Sequence, residues 1–237
     1  MPGDRTAILF FSHRPEREWQ NKWFVRQDYA TNRQVAEAFY EHTRTAVAES
    51  GLPVREVTGA QQRGDSFGAR LANAMADAFA EGYDRVIAVG SDCPTLHEVG
   101  WDEVAEQLEE GTPVLGPNPD EAGTYLIGMT RSQFDRDAFA ALPWKTPRLF
   151  ESLRRHLTET AGAAPALLSP RDDVNGPADL RRLLRRSSSS AALVTRLRQV
   201  LGALRRAVQS DRRPSTRPAL TRRSRAPPSS LTSNCPR

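Results

Sequence analysis

The sequence predicts an α/β sandwich with a mostly parallel sheet, because short apolar runs alternate with segments of helical periodicity over about 180 residues. The run 86–89 is unbroken and rich in β-branched residues, which is typical of a strand buried on both faces. Gly90 and Ser91 end this run. Asp92 should therefore lie at the carboxyl edge of the sheet, where open α/β sheets bind ligands.

The remaining elements follow from the same two patterns. Leu71, Met75 and Phe79 recur at helical spacing and predict one amphipathic helix, and the other helices are predicted in the same way. The predicted strands cover residues 6–11, 52–57, 86–89, 112–115, 124–129 and 166–168. The predicted helices cover residues 32–49, 69–80, 98–110, 148–160, a segment opened by Pro177, and 191–208.

Charge and composition divide the chain. Residues 181–237 hold 15 arginines, no lysine and one acid, a charge of +14, whereas residues 1–180 hold 18 basic and 28 acidic side chains, a charge of −10. We therefore expect a folded domain over residues 1–186, a hinge and amphipathic helix over 187–208, and a disordered Arg/Pro/Ser-rich tail over 209–237. A basic tail can contact nucleic acid or an anionic surface, but is more often an unselected extension.

Cellular context is indicated by what the sequence lacks. Cys93 and Cys235 are its two cysteines and form neither a disulfide framework nor a metal motif, which fits a reducing cytoplasm. The first residues have no apolar core of a signal peptide, and no apolar run reaches membrane-spanning length. We expect a cytoplasmic protein without a membrane span.

Several motifs, in this order and spacing, together resemble one family. They are Gln-Arg-Gly-Asp-Ser-Phe-Gly-Ala-Arg-Leu (62–71), Gly-Ser-Asp-Cys-Pro (90–94), Val-Leu-Gly-Pro (114–117), Tyr-Leu-Ile-Gly (125–128), Trp-Lys-Thr (144–146) and Asp-Val-Asn (173–175). The chain resembles bacterial glycosyltransferase-like proteins of the nucleotide-diphospho-sugar transferase superfamily, some of which are assigned to arsenosugar biosynthesis. The resemblance implies a Rossmann-like, GT-A-type three-layer sandwich.

The resemblance also implies where a nucleotide would lie, namely against the loop after the first strand and the segment 62–70. We expect nucleotide or phosphate contacts from Ser12, Arg14, Lys22, Gln62, Gly64, Arg70 and Ser91. Asp92 corresponds to the metal-binding aspartate of the superfamily, and Asn175 to a position that is often Asp in the family. Both side chains offer a hard oxygen to Mg²⁺ or Mn²⁺.

Other side chains are assigned to the sugar and the acceptor. Asp120 or Glu121 would lie near the sugar or the acceptor, where either could act as general base on an acceptor hydroxyl. Trp144 would offer an apolar platform for a sugar or base, although packing in the core is at least as frequent a use of tryptophan. Lys145 beside it could contact a phosphate.

The predicted function is a metal-dependent glycosyltransferase that uses a nucleotide-sugar donor and an acceptor that the sequence does not identify. One alternative is a guanylyl- or cytidylyltransferase on the same fold, but the few basic residues between Pro15 and Lys22 argue weakly against a triphosphate-binding loop. The other alternative is a catalytically inactive nucleotide-binding or scaffold protein in which the basic tail carries the function.

Overall fold

A six-stranded sheet forms the centre of the protein. The computed structural model describes residues 5–13, 22–25, 28–185 and 191–211, and of residues 205–211 it describes the backbone alone. The strands are β1 (Thr6–Ser12), β2 (Val54–Thr58), β3 (Arg85–Val89), β4 (Val114–Pro117), β5 (Thr124–Thr130) and β6 (Ala166–Leu167). They are arranged in the order β2-β1-β3-β5-β4-β6. Only β5 runs antiparallel to its neighbours, so the predicted mostly parallel sheet is confirmed.

Seven α-helices lie in the described part of the chain. They are α1 (Tyr29–Ala48), α2 (Phe67–Ala80), α3 (Trp101–Glu109), α4 (Arg136–Ala140), α5 (Leu149–Ala161), α6 (Pro177–Arg185) and α7 (Ala191–Asp211). Short 3₁₀ turns at Gly59–Gln61, Leu96–Glu98 and Arg131–Gln133 join some of these elements.

Helices cover both faces of the sheet because successive residues of a strand point to opposite sides. On one face, Leu9 and Phe11 of β1 pack in a core cluster with α2, α4 and α5. On the other face, Ile8 and Phe10 pack in a second cluster with α1 and α3. Every residue of β1 and β3 is buried, as the unbroken apolar runs predict. The layers therefore form the three-layer α/β sandwich expected from the sequence.

The C-terminal helix packs against the domain. Leu193 and Leu197 of α7 share an apolar cluster with Phe39 of α1 and Leu183 of α6. α7 reaches Asp211, past the predicted end at residue 208. The predicted hinge at 187–190 and the tail beyond residue 211 lie outside the described residues.

The structure differs from the sequence prediction at three elements. α4, a five-residue helix, was not predicted. The helix predicted from residue 98 begins at Trp101, because residues Leu96–Glu98 form a separate 3₁₀ turn and Gly100 is the N-cap. β5 is reversed because the six-residue connection from β4 is too short for a parallel crossover and forms a hairpin instead.

This topology brings several loops to one edge of the sheet. The carboxyl ends of β1, β3 and β4 point to that edge, and β5 begins there. Side chains that directly follow these strands are therefore neighbours in space, although they are far apart in sequence. Within the described ranges, no helix combines the length and hydropathy that crossing a bilayer requires.

Candidate functional site

A cleft of about 420 Å³ opens at this edge of the sheet. Its walls come from the ends of β1 and β3, the start of β5, the segment before α5 and the segment after β6. Eight of the residues singled out in the sequence line it: Ser12, Lys22, Gln62, Ser91, Asp92, Trp144, Lys145 and Asn175. Residues separated by more than 160 positions in the chain are thus collected around one cavity.

Hydrogen bonds between polar groups tie three of these segments together at the base of the cleft. The Ser12 and Ser91 hydroxyls are 2.8 Å apart, and both residues are buried. The Gln62 side-chain amide donates to the Ser12 carbonyl oxygen at 2.8 Å. These contacts hold the ends of β1 and β3 and the loop before α2 in place. Ser12, Gln62 and Ser91 therefore have partners within the protein.

Asp92 lies on the rim of the cleft and pairs with Lys22. The Lys22 ammonium contacts Asp92 Oδ2; the lysine side chain is 14 % exposed and the aspartate side chain 34 %. The backbone N–H of Val174 donates to the Asp92 carbonyl oxygen at 3.0 Å, which brings the segment 173–175 to the same place. Asp92 and Asn175 thus share one cleft, and their role as metal ligands stays a prediction.

Sequence reasoning missed a second acid–amide pair in this cleft. The Asn118 side-chain amide donates to Asp173 Oδ2 at 2.9 Å. The other oxygens of the two groups, Asp173 Oδ1 and Asn118 Oδ1, are buried and have no donor among the described residues. Burial, and secondarily the nearby Asp92 carboxylate, raises the pKa of Asp173 to about 7. The one available signal was the Asp173-Val174-Asn175 motif, in which Val174 is the buried anchor.

His13 was also missed, and cationic groups surround it. Burial lowers the pKa of His13, and the positive charges of Arg70, Lys145 and Lys22 lower it further, against the opposing effect of Asp92. The imidazole lines the cleft beside β1. Cations thus lie on the β1 side of the cavity, which favours an anionic group there.

Trp144 and Lys145 both line the cleft, and Trp144 also packs against the core. The Trp144 indole N–H donates to the Phe139 carbonyl oxygen at 2.9 Å, and its ring packs on Phe67 and Phe139. The Lys145 ammonium lies 5.3 Å from the centre of the Phe67 ring, and its backbone φ is 60°. Trp144 is thus half-buried, whereas Lys145 is exposed.

The remaining predicted contacts do not line the cleft. Asp120 and Glu121 are exposed on the turn between β4 and β5, where the Glu121 N–H bonds to the Asn118 carbonyl oxygen and directs the chain outward. Neither carboxylate lines the cleft, and their place near the sugar or the acceptor stays a prediction. Gly64, an exposed residue with φ 133°, and Arg70, with its Nε buried, are also not among the residues that line the cleft.

Two further expectations concern the start of the cleft. Arg14 lies outside the described residues, so the structure does not place it. In the segment 62–70, which was expected to lie against a nucleotide, the Ser66 side chain caps α2 by accepting the Ala69 N–H at 3.0 Å. Anion binding by this segment stays a prediction.

Comparisons with known proteins support the fold. No protein of curated function matches the chain. One solved structure, from Desulfovibrio desulfuricans G20, is described as a "putative nucleotide-diphospho-sugar transferase". It is similar with a TM-score of 0.64 at 21% sequence identity, over 85% of this chain and 97% of that chain. At this identity the likeness concerns the fold alone.

A family model covers the middle of the chain. Residues 24–146 match the family described as "Uncharacterized protein conserved in bacteria (DUF2064)". The match includes α1, β2 to β5, and the cleft residues Gln62, Ser91, Asp92, Asn118 and Trp144. With more than half of its length matched, the chain belongs to the DUF2064 family.

Proposed function

We propose that the cleft binds a nucleotide-sugar donor and that the protein is a metal-dependent glycosyltransferase. The observation that carries this proposal is that cations and acids share one cavity at the carboxyl edge of the sheet. Lys22 and Lys145 line this cavity together with the acids Asp92 and Asp173, and Lys22 contacts Asp92 directly. A diphosphate needs cations, and a cation bound to it needs acids, so one ligand would use both kinds of group.

The side chains of the cleft fit a divalent cation. Asp92 and Asn175 provide oxygen ligands, and buried oxygens without donors lie beside them. Within the described part of the chain, no three His, Cys, Asp or Glu side chains are grouped as a metal centre. A Mg²⁺ ion bound through one or two carboxylates would complete its shell with water and substrate phosphates. Such a cation supplies charge neutralisation for a departing diphosphate.

The other roles follow from position. Lys22, now paired with Asp92, is close enough to the cleft to bind a phosphate oxygen once that pair opens. Lys145, which also lines the cleft, would bind another phosphate oxygen, and Trp144 would border a sugar or base. The exposed position of Asp120 and Glu121 does not support a role as general base. The link to arsenosugars and the cytoplasmic location stay predictions.

A thermal-shift screen tests the proposal. Nucleotide diphosphates and nucleotide sugars are tested with and without Mn²⁺ on the wild type, on Asp92→Asn and on Glu106→Gln, which changes an exposed acid on α3. At a ligand concentration 100 times Kd, we expect an upshift of about 5–10 °C that requires Mn²⁺. The upshift should persist in Glu106→Gln and disappear in Asp92→Asn. An equal response in all three proteins would refute the assignment of Asp92.

Product analysis separates the alternatives. Release of a nucleoside diphosphate from a nucleotide sugar supports the glycosyltransferase. Release of pyrophosphate from a nucleoside triphosphate in the presence of a sugar phosphate supports the nucleotidyltransferase. The scaffold alternative is supported if no nucleotide binds and if deletion of residues 187–237 abolishes the binding of partners.

A further inference from the structure

Two buried oxygen atoms in the cleft have no partner among the described residues. Asp173 and Asn118 are joined by one hydrogen bond, but Oδ1 of each is covered and receives no donor from any of these residues. An amide oxygen and an ionised carboxylate oxygen can only accept hydrogen bonds or bind a cation. Burying such oxygens unsatisfied costs stability, so this arrangement needs a partner beyond the described residues.

The surroundings indicate that the missing partner is positively charged. Asp92 and Asp173 both line the cleft, so two carboxylates share one cavity. The Val174 N–H bond to the Asp92 carbonyl oxygen holds the two acidic segments together. A hydroxyl donor could satisfy one oxygen, but only a cation both binds the oxygens and offsets the repulsion between the carboxylates.

We infer that Asp173 and the Asn118 amide oxygen, together with Asp92, form the divalent-cation site of this protein. Asn175, which was predicted as the second ligand, is exposed at the rim, whereas Asp173 and Asn118 lie deeper. Three protein oxygens leave room for water or phosphate oxygens in the octahedral shell that Mg²⁺ requires. The inference concerns the site used in the proposed function, but binding of the metal alone does not require a nucleotide.

Lys22 competes with a divalent cation for the Asp92 carboxylate. Its ammonium neutralises Asp92 in the metal-free protein, so a cation that uses the Asp92 carboxylate must weaken this ion pair. Removal of the ammonium should therefore raise the affinity for a divalent cation. Lys22→Met is a suitable variant because its length and apolar stem are similar.

The inference is tested by titrating the full-length protein with Mn²⁺ alone. The electron paramagnetic resonance signal of the unbound Mn²⁺ measures how much of the ion is free at each point. We expect Asp173→Asn and Asp92→Asn each to weaken Mn²⁺ binding at least tenfold, Asn118→Leu several-fold, and Lys22→Met to strengthen it several-fold. The control is Asp172→Asn, the adjacent acid, which lies 3.7 Å from Arg182 and should change the affinity less than twofold. Asn175→Ala at the rim separates this site from the Asp92–Asn175 pair of the proposed function, because only that pair makes Asn175 a ligand.

Two results would overturn the inference. One is a loss of affinity in Asn175→Ala with none in Asp173→Asn, and the other is no saturable binding by the wild type at millimolar Mn²⁺. Far-ultraviolet circular dichroism checks that each variant is folded, and Asp173→Glu, which keeps the charge, serves if Asp173→Asn does not fold. If Mn²⁺ binding depends on Asp173 but no nucleotide binds, the inference holds and the proposed function is rejected. If nucleotide binding still requires the metal in Asp173→Asn, the proposed function holds and the inference is rejected.

Discussion

Gly68→Ala should destabilise the protein because this glycine lets α2 approach the wall of the cleft. A Cβ at position 68 would lie 2.3 Å from the Ala140 carbonyl oxygen and 2.3 Å from Trp144 Cδ1, where ordinary contacts begin at 3.4 Å. Either the indole or the helix must move by about 1 Å. Overpacking of this kind costs about 1–3 kcal/mol, and loss of the bond from Trp144 to Phe139 adds about 1 kcal/mol.

The better helix propensity of alanine offsets up to about 1 kcal/mol, so we expect a net loss of about 2 kcal/mol in the free energy of unfolding. Urea unfolding followed by circular dichroism measures this value, and near-ultraviolet circular dichroism reports the displaced indole. The control is Gly90→Ala, where an added Cβ meets no atom within 4 Å and should change the stability by less than about 0.5 kcal/mol. Equal midpoints for the two variants would show that Trp144 is not packed against Gly68.

Three further predictions concern charged groups. Burial raises the pKa of Asp173 from its ordinary value of 3.8 to about 7, so the cost of burying its charge grows between pH 4 and pH 7 and is complete above pH 7. In the absence of metal, Asp173→Asn should therefore be more stable than the wild type at pH 8 by at most about 4 kcal/mol, and urea unfolding should show this difference shrinking towards pH 4. Burial lowers the pKa of His42 beside His97, so below pH 6.5 the unfolded chain binds more protons than the folded protein. As the pH falls below 6.5, the wild type should lose stability faster than His42→Gln. Curves of stability against pH that are parallel for the two proteins would refute this. Arg171 binds two backbone carbonyls and one carboxylate of residues 95–98. Arg171→Met should therefore lower the free energy of unfolding, measured in urea, by about 2–4 kcal/mol. A change below about 0.5 kcal/mol, which is typical of a surface substitution, would contradict these contacts.

Most of the fold could be predicted from hydrophobic patterns, since those patterns reflect burial directly. The run that forms β3 is apolar because both faces of this strand are covered, and Leu71, Met75 and Phe79 mark the face of α2 that packs on the sheet. The direction of β5 did not follow from its composition, because an apolar run does not show whether the strand is parallel or antiparallel to its neighbours. The short connection before Thr124 carried that information instead. α4 is only five residues long, too short for a periodic signal.

The site was predictable only in part, because a strand pattern locates an edge but not the depth of each side chain. Asp92 and Lys22 were placed at the cleft by the rule that ligands bind at the carboxyl edge. Asp120 was assigned to the sugar or the acceptor as part of the proposed mechanism, and the turn between β4 and β5 exposes it. Asn118, two residues earlier in this turn, points to Asp173 instead. Which polar residue of a turn faces inward depends on local hydrogen bonds that the sequence pattern does not display.

The contacts within the cleft explain how the metal-free protein can tolerate a ligand site of high charge. Lys22 neutralises Asp92, and Asn118 donates one hydrogen bond to Asp173, so each acid has a partner before any ligand arrives. In the proposed complex, a divalent cation would replace the ammonium at Asp92, and the ammonium would then be available to a phosphate. Each charged group would exchange one partner for another, and no new charge would be buried alone. Lys22→Met would then have opposite effects on the two ligands, tightening Mn²⁺ alone and weakening a nucleoside diphosphate measured with Mn²⁺ at saturation. If both affinities changed in the same direction, Lys22 would not exchange partners as described.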